Sequence, residues 1–95
     1  MIEVKIKAIL DVARLLGSRE QTLTLPGGAT VLGALQKLAE IHGEPLAERI
    51  FAGQDKLRDG LVVMVNGRNI CFLDHLHTVL TDGDEVLLFP PAGGG

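Results

Sequence analysis

Polar and apolar residues alternate along the first stretch of the chain. Ile2, Val4, Ile6, Ala8 and Leu10 point one way, and Glu3, Lys5 and Lys7 the other. A period of two predicts a half-buried β-strand over residues 2–10, with Ile9 breaking its polar face. "DVARLLG" (11–17) predicts a turn, or one helical turn that stops at Gly17. "EQTLTL" (20–25) predicts a second strand, and the short link to it predicts an antiparallel hairpin.

The period then changes. "PGGAT" (26–30) is punctuation, and Thr30 is placed to cap a helix. Val31, Leu32, Leu35, Leu38, Ala39 and His42 fall on one helical face, with Gly33, Gln36, Lys37 and Glu40 opposite. Gly33 stands where a capping-box glutamate would, which weakens the cap. Gly43 is a natural stop, with Pro45 just beyond. Residues 45–60 are the least regular: Leu46, Ala47, Ile50 and Phe51 predict a short helical turn, and the polar remainder a loop.

"LVVMVN" (61–66) is a continuous apolar run, the mark of a buried strand, and Asn66-Gly67 is a tight-turn signal. "RNICFL" predicts a short strand, "TDGDE" (81–85) a turn, and "VLLF" (86–89) a last strand as apolar as a central one. The order is strand, strand, helix, strand, short strand, strand. It predicts an α+β domain: a mixed sheet of four to five strands with one main helix across a face and the last strand inside the sheet. The expected division is a domain over 1–89 and a flexible tail over 90–95.

Composition narrows the partners. Ninety-five residues make one domain. Hydrophobic residues are 46% of the chain, which predicts apolar surface left for a partner. The charge of −3 and the absence of Trp and Tyr argue against nucleic acid. No apolar run approaches a membrane span, and the start "MIEVKIKAIL" does not read as a signal peptide. One cysteine cannot form an internal disulfide, so the expected location is the cytoplasm.

The chemistry concentrates in "FPPAGGG". Pro90 and Pro91 lack an N–H and end strand pairing, so they direct the chain out of the sheet. Ala92, Gly93, Gly94 and Gly95 bury nothing. Six residues at about 3.3 Å each reach roughly 20 Å, enough to thread into another protein. Glycine has no Cβ, so the backbone fits a narrow channel and the carboxylate of Gly95 is unhindered. That carboxylate could attack ATP to become an acyl-adenylate, which a sulfur donor converts to a thiocarboxylate. On the triple glycine alone, a frayed end is the favoured reading.

Spacing separates the two. Val65-Asn66-Gly67, then Leu80 to Val86 ("LTDGDEV"), then Phe89-Pro90-Pro91 and Ala92 to Gly95 resemble the ubiquitin-like sulfur carriers of the MoaD/ThiS family, above all the small subunit of molybdopterin synthase. "LPGGATVLGALQKLA" (25–39) resembles the family's strand-to-helix joint. The resemblance implies a β-grasp fold and a carrier whose Gly95 is adenylated by a ubiquitin-activating-type adenylyltransferase, then thiocarboxylated from a persulfide donor. The tail, Phe89 to Gly94 with Gly95, would insert into the large subunit of molybdopterin synthase. No cofactor would be held permanently, ATP being used by the activating partner, and the chain would not be an enzyme on its own. The family's aromatic and basic residues near the end of the first strand are here Ile9, Val12 and Arg14.

Other residues have structural readings. Cys71 is a candidate nucleophile only with a base such as His75 or His77, and otherwise a buried or half-buried small residue. His42, His75 and His77 lack a fourth ligand at zinc spacing. Asp82, Asp84 and Glu85 read as turn residues, because a general-acid pair needs a pocket this chain has little room for. "PGG" (26–28) lacks the Lys-Ser/Thr of a phosphate loop. Phe89 is open between a core residue and a partner anchor. Open alternatives for the chain are a carrier for thiamine, cysteine or tRNA thiolation, a modifier joined to target lysines through Gly95, and a plain β-grasp binding module. The Pro90-Pro91 pair argues against the thiamine carrier.

Overall fold

A computed structural model describes residues 1–90; of the predicted tail over 90–95, Pro91 to Gly95 lie outside the described residues. Strand β1 (Ile2–Ala8) and strand β2 (Glu20–Leu25) pair antiparallel, Ile2 opposite Leu25 and Lys7 opposite Glu20. Helix α2 (Val31–His42) starts at Thr30, whose Oγ1 accepts from the Gly33 N–H at 3.2 Å, and stops at Gly43, at φ 86°. Strand β5 (Val62–Val65), β6 (Arg68–Asn69) and β7 (Glu85–Phe89) complete a five-stranded sheet in the order β2-β1-β7-β5-β6. The apolar run 86–89 therefore lies at the centre, parallel to β1 and antiparallel to β5. This is the β-grasp arrangement.

One face of the sheet makes the core. Val4, Ile6, Leu23, Val63, Val86 and Leu88 are buried there with Val31, Ala34, Leu35 and Leu38 of α2. Ala34 belongs to this set although the helical face read from the sequence omits it.

The structure corrects four predicted elements. Strand β1 stops at Ala8, and Leu10 opens helix α1 (Leu10–Leu16) instead of closing the strand's apolar face. Helix α1 has two turns, ends at Gly17 at φ 80°, and buries Val12 and Leu16. Leu10 itself sits at φ 57° and is 68% exposed. A left-handed conformation of this kind costs an L-residue roughly 1–2 kcal/mol.

Residues 45–60 are also more regular than their composition suggests. Helix α3 (Glu44–Ile50), with Pro45 in its first turn, buries Leu46 and Ile50 completely. A small hairpin of β3 (Phe51–Gly53) and β4 (Lys56–Leu57) follows where a loop is predicted. Likewise "RNICFL" is a strand only at Arg68–Asn69. From Ile70 to Phe72 it turns as a 3-10 helix, capped by the Asn69 side chain accepting from the Cys71 N–H at 3.0 Å.

Candidate functional site

The site begins where the central strand ends. Val86 and Leu88 are fully buried, so the intervening Leu87 and Phe89 face the other side of the sheet. There Phe89 stands opposite Val62, and Leu87 opposite Met64. All four side chains are half-buried, and none belongs to the core cluster. Phe89 is therefore a residue of the outer face, which decides against its reading as core. The four make an apolar stripe that runs to Pro90.

Charges frame that stripe. On the same outer face Lys7 Nζ lies 3.1 Å from Glu85 Oε1, and Lys5 Nζ 3.8 Å from Glu20 Oε2. These ion pairs are solvated and contribute little stability. Their effect is to keep the β1–β2 half of the face polar, so that the apolar area is confined to β5 and β7.

Two turns at the far end of the sheet fix where β7 starts. Asn66 and Gly67 both have positive φ, 51° and 83°, as a tight hairpin turn requires. Asn66 Nδ2 donates to Asp84 Oδ1 at 2.9 Å, while Asn66 Oδ1 accepts from the Glu85 N–H at 2.9 Å. Asp84 Oδ2 accepts from the Thr81 N–H at 2.8 Å, and Asp84 Oδ1 also accepts from the Thr81 hydroxyl at 3.1 Å. Asp82 Oδ1 accepts from the Glu3 N–H at 2.8 Å. Burial alone would raise the Asp84 pKa. The bonds from the Thr81 N–H, the Asn66 amide and the Thr81 hydroxyl outweigh it and hold the carboxyl below its ordinary value. The acidic turn is thus a latch that sets the register of β7, and its carboxylates are already committed.

The remaining candidates do not assemble. Cys71 is exposed, not buried or half-buried: the 3-10 turn rotates it and Phe72, 84% exposed, away from the core. Among the described residues, no hydrogen bond joins Cys71 to His75 or His77, which stand in their own 3-10 turn (His75–His77). His42 Nε2 lies 2.6 Å from Gln21 Oε1, so it ties α2 to β2. Among the described residues, no group of three His, Cys, Asp or Glu is placed to hold a metal ion, and no helix is long and apolar enough to cross a membrane.

A cleft of about 540 Å³ does open beside Pro90, between α1 and α3. It was not foreseen, because it needs the helix at 10–16 that the alternating pattern hides. Of its charged residues, Asp11 pairs with Arg49, and Arg58 Nε donates to the Glu48 backbone carbonyl at 2.6 Å. It holds no nucleophile beside a base. The described part of the site is therefore a tail root at the end of a central strand paired on both sides, and the residues expected from the sequence to react lie outside the described residues.

The fold has known relatives. A sequence model described as the ThiS family matches residues 10–95. The small archaeal modifier protein 1 of Haloferax volcanii is 36% identical over 89 residues, covering 94% of this chain and 97% of that one. A crystal structure of that protein superposes with a TM-score of 0.84 at 32% identity, over 97% of this chain and 100% of that one. An Archaeoglobus fulgidus chain assigned as a sulfur carrier protein is 35% identical over 66 residues, 70% of this chain and 74% of that one. A Pyrococcus furiosus structure assigned as molybdopterin converting factor, subunit 1, superposes with a TM-score of 0.78 at 29% identity, over 97% of this chain and 100% of that one.

Proposed function

The chain belongs to the ThiS family, whose members here are ubiquitin-like sulfur carriers and modifiers, and from that premise we propose that its working group is the carboxylate of Gly95. The observation that carries this reading is the position of β7. The strand that leads into Pro90 is the central one, held on both sides by β1 and by β5. The domain offers no reaction pocket of its own among the described residues. It serves as a handle for its end.

In this reading a ubiquitin-activating-type adenylyltransferase binds the domain and takes the tail. The Gly95 carboxylate attacks the α-phosphorus of ATP, and pyrophosphate leaves. A persulfide sulfur then attacks the acyl carbon, AMP leaves, and a thiol reduces the acyl disulfide to release the thiocarboxylate. ATP is a substrate of the partner, and the chain retains no cofactor. Pro90 and Pro91 keep the tail from pairing as a strand, and the small residues after them let it thread. Phe89 and its stripe supply apolar area beside the thread.

We assign the sulfur to molybdopterin synthesis, with the chain as the small subunit of the synthase, on the strength of the "LTDGDEV…FPP" spacing and the likeness to the Pyrococcus chain. The likeness to the Haloferax modifier protein supports a second use of the same activated end, attachment to target lysines. One experiment separates them. The thiocarboxylated chain is mixed with a molybdopterin synthase large subunit and cyclic pyranopterin monophosphate, and separately expressed in its host and followed on denaturing gels. Dithiolene formation supports the first reading. A ladder of conjugates lost on deletion of Gly95, with no dithiolene formed, supports the second and overturns the first.

A further inference from the structure

The two edges of the sheet differ. Strand β6 forms one edge with only Arg68 and Asn69, whereas β2 leaves the other edge open over Glu20–Leu25. Native edges are kept from pairing by shortness, proline, charge or a bulge. Strand β2 has no proline, no lysine and no bulge, and it follows β1 in unbroken register.

The hydrogen bonds of β1 show which groups of β2 face outward. The Lys5 N–H donates to the Asp84 carbonyl at 2.9 Å, and the Glu3 carbonyl accepts from the Gly83 N–H at 2.8 Å. Both residues thus direct their backbone groups away from β2. Their antiparallel partners, Thr22 and Thr24, therefore point N–H and C=O out of the sheet. Both threonines are exposed, and among the described residues no hydrogen bond reaches the backbone of either. Glu20 continues the same alternation, its carbonyl accepting from the Ser18 hydroxyl at 2.7 Å.

An exposed face of α2 lies beside this edge. A groove of about 430 Å³ extends from Leu25 and Pro26 along Gly33, Gln36, Lys37 and Glu40. Helix α2 runs back along β2, since Gly33 shares the groove with Leu25 while His42 meets Gln21. Thr22 lies between those contacts, on the His42 side, level with the stretch from Lys37 to Glu40. Lys37 and Glu40 are exposed and form none of the ion pairs among the described residues.

We propose that this edge pairs antiparallel with the same edge of a second copy of the chain, about a two-fold axis that passes through Thr22 perpendicular to the sheet. Self-complementarity selects the occupant. Thr22 meets Thr22 of the second copy, and Glu20 meets its Thr24, so no like charges stand opposite along the seam. The axis lays the two α2 helices antiparallel on the same side of the joined sheet. Lys37 of each copy then faces Glu40 of the other, and two unpaired charges of opposite sign become two ion pairs. Strand β1 separates β2 from β7, so the dimer leaves Pro90 and the Phe89 stripe uncovered. The seam is one strand and one helix face, which makes the dimer weak and concentration-dependent.

The test is sedimentation equilibrium of the whole chain from about 10 µM to about 1 mM, with interference detection because the chain has no Trp or Tyr. Wild type is expected to pass from monomer to dimer. Lys37→Glu and Glu40→Lys are each expected to raise the dimer Kd about tenfold, since each sets like charges against one another twice. The double variant Lys37→Glu with Glu40→Lys is expected to restore the wild-type Kd. Thr22→Pro removes an outward N–H at an edge position that admits proline, and is expected to stay monomeric. Should Thr22→Pro fail to fold, the charge series decides alone, because both of its positions are exposed. A wild type that remains monomeric throughout would overturn the proposal. So would single reversals without effect, a double variant that stays as weak as the singles, or a dimer that Phe89→Ala dissolves and Lys37→Glu does not, since the seam would then lie on the outer face.

Discussion

Asn66 and Asp84 hold one another across the end of the sheet, the Asn66 amide donating to the Asp84 carboxylate at 2.9 Å from eighteen residues away in the chain. With the Glu85 N–H donating back to Asn66 at 2.9 Å, this pair ties the β5–β6 turn to the first residue of β7. A one-residue slip of β7 would exchange Leu88 for Phe89 in the core. The latch therefore decides which face the tail root presents.

Asn66→Ala should cost about 1–2 kcal/mol, because it removes both bonds and puts alanine at positive φ. Asn66→Gly keeps the backbone conformation and should lose less. Urea unfolding of the two variants measures the difference; equal losses would show that the left-handed backbone contributes nothing.

The latch also sets an acid limb of stability. The folded-state pKa of Asp84 is held below its ordinary value of 3.8, so its contribution is complete above that value and is lost as pH falls through the lowered folded value. Thermal unfolding followed from neutral pH to about pH 2 should show a shallower acid decline in Asp84→Asn than in wild type. Parallel declines would place the acid sensitivity elsewhere.

Neighbours on β7 should separate stability from recognition. Leu88→Ala empties a fully buried position and should cost about 2–5 kcal/mol. Phe89→Ala, on the outer face, should cost about 1 kcal/mol and weaken partner binding strongly. Denaturant unfolding and a binding titration read the two. A large stability loss in Phe89→Ala with unchanged binding would return Phe89 to the core.

Cys71 is exposed, so it should react with a disulfide reagent in the native state at a rate close to that of the unfolded chain. Cys71→Ser should leave sulfur loading unchanged, because the proposed function puts the sulfur on Gly95. Loss of loading in that variant would make the thiol a relay.

Parts of this structure were legible and parts were not, for identifiable reasons. Helix α2 could be read to its ends because Thr30 and Gly43 cap it and its apolar spacing holds for three turns. The central place of β7 followed from an unbroken apolar run. The stop of helix α1 at Gly17 was read, but its start and second turn were hidden because Ala8-Ile9-Leu10 continues the strand's alternation, and no sequence signal announces a leucine at positive φ. The 3-10 turn at Ile70–Phe72 was misread because an apolar run has no period of its own, so the exposure of Cys71 was missed with it. The acidic turn was identified, but not its partner Asn66, because that contact exists only once β5 and β7 are paired. The candidate site was proposed from the sequence alone: its root at Phe89 and Pro90 lies in the described structure, and Pro91 to Gly95 lie outside the described residues.

The most direct measurement is the intact mass of the chain after incubation with ATP, a persulfide donor and the host's ubiquitin-activating-type enzyme. The account predicts that wild type exchanges one oxygen for one sulfur and that the chain without Gly95 stays unchanged. An unchanged mass in wild type, or the same gain after Gly95 is deleted, would contradict it.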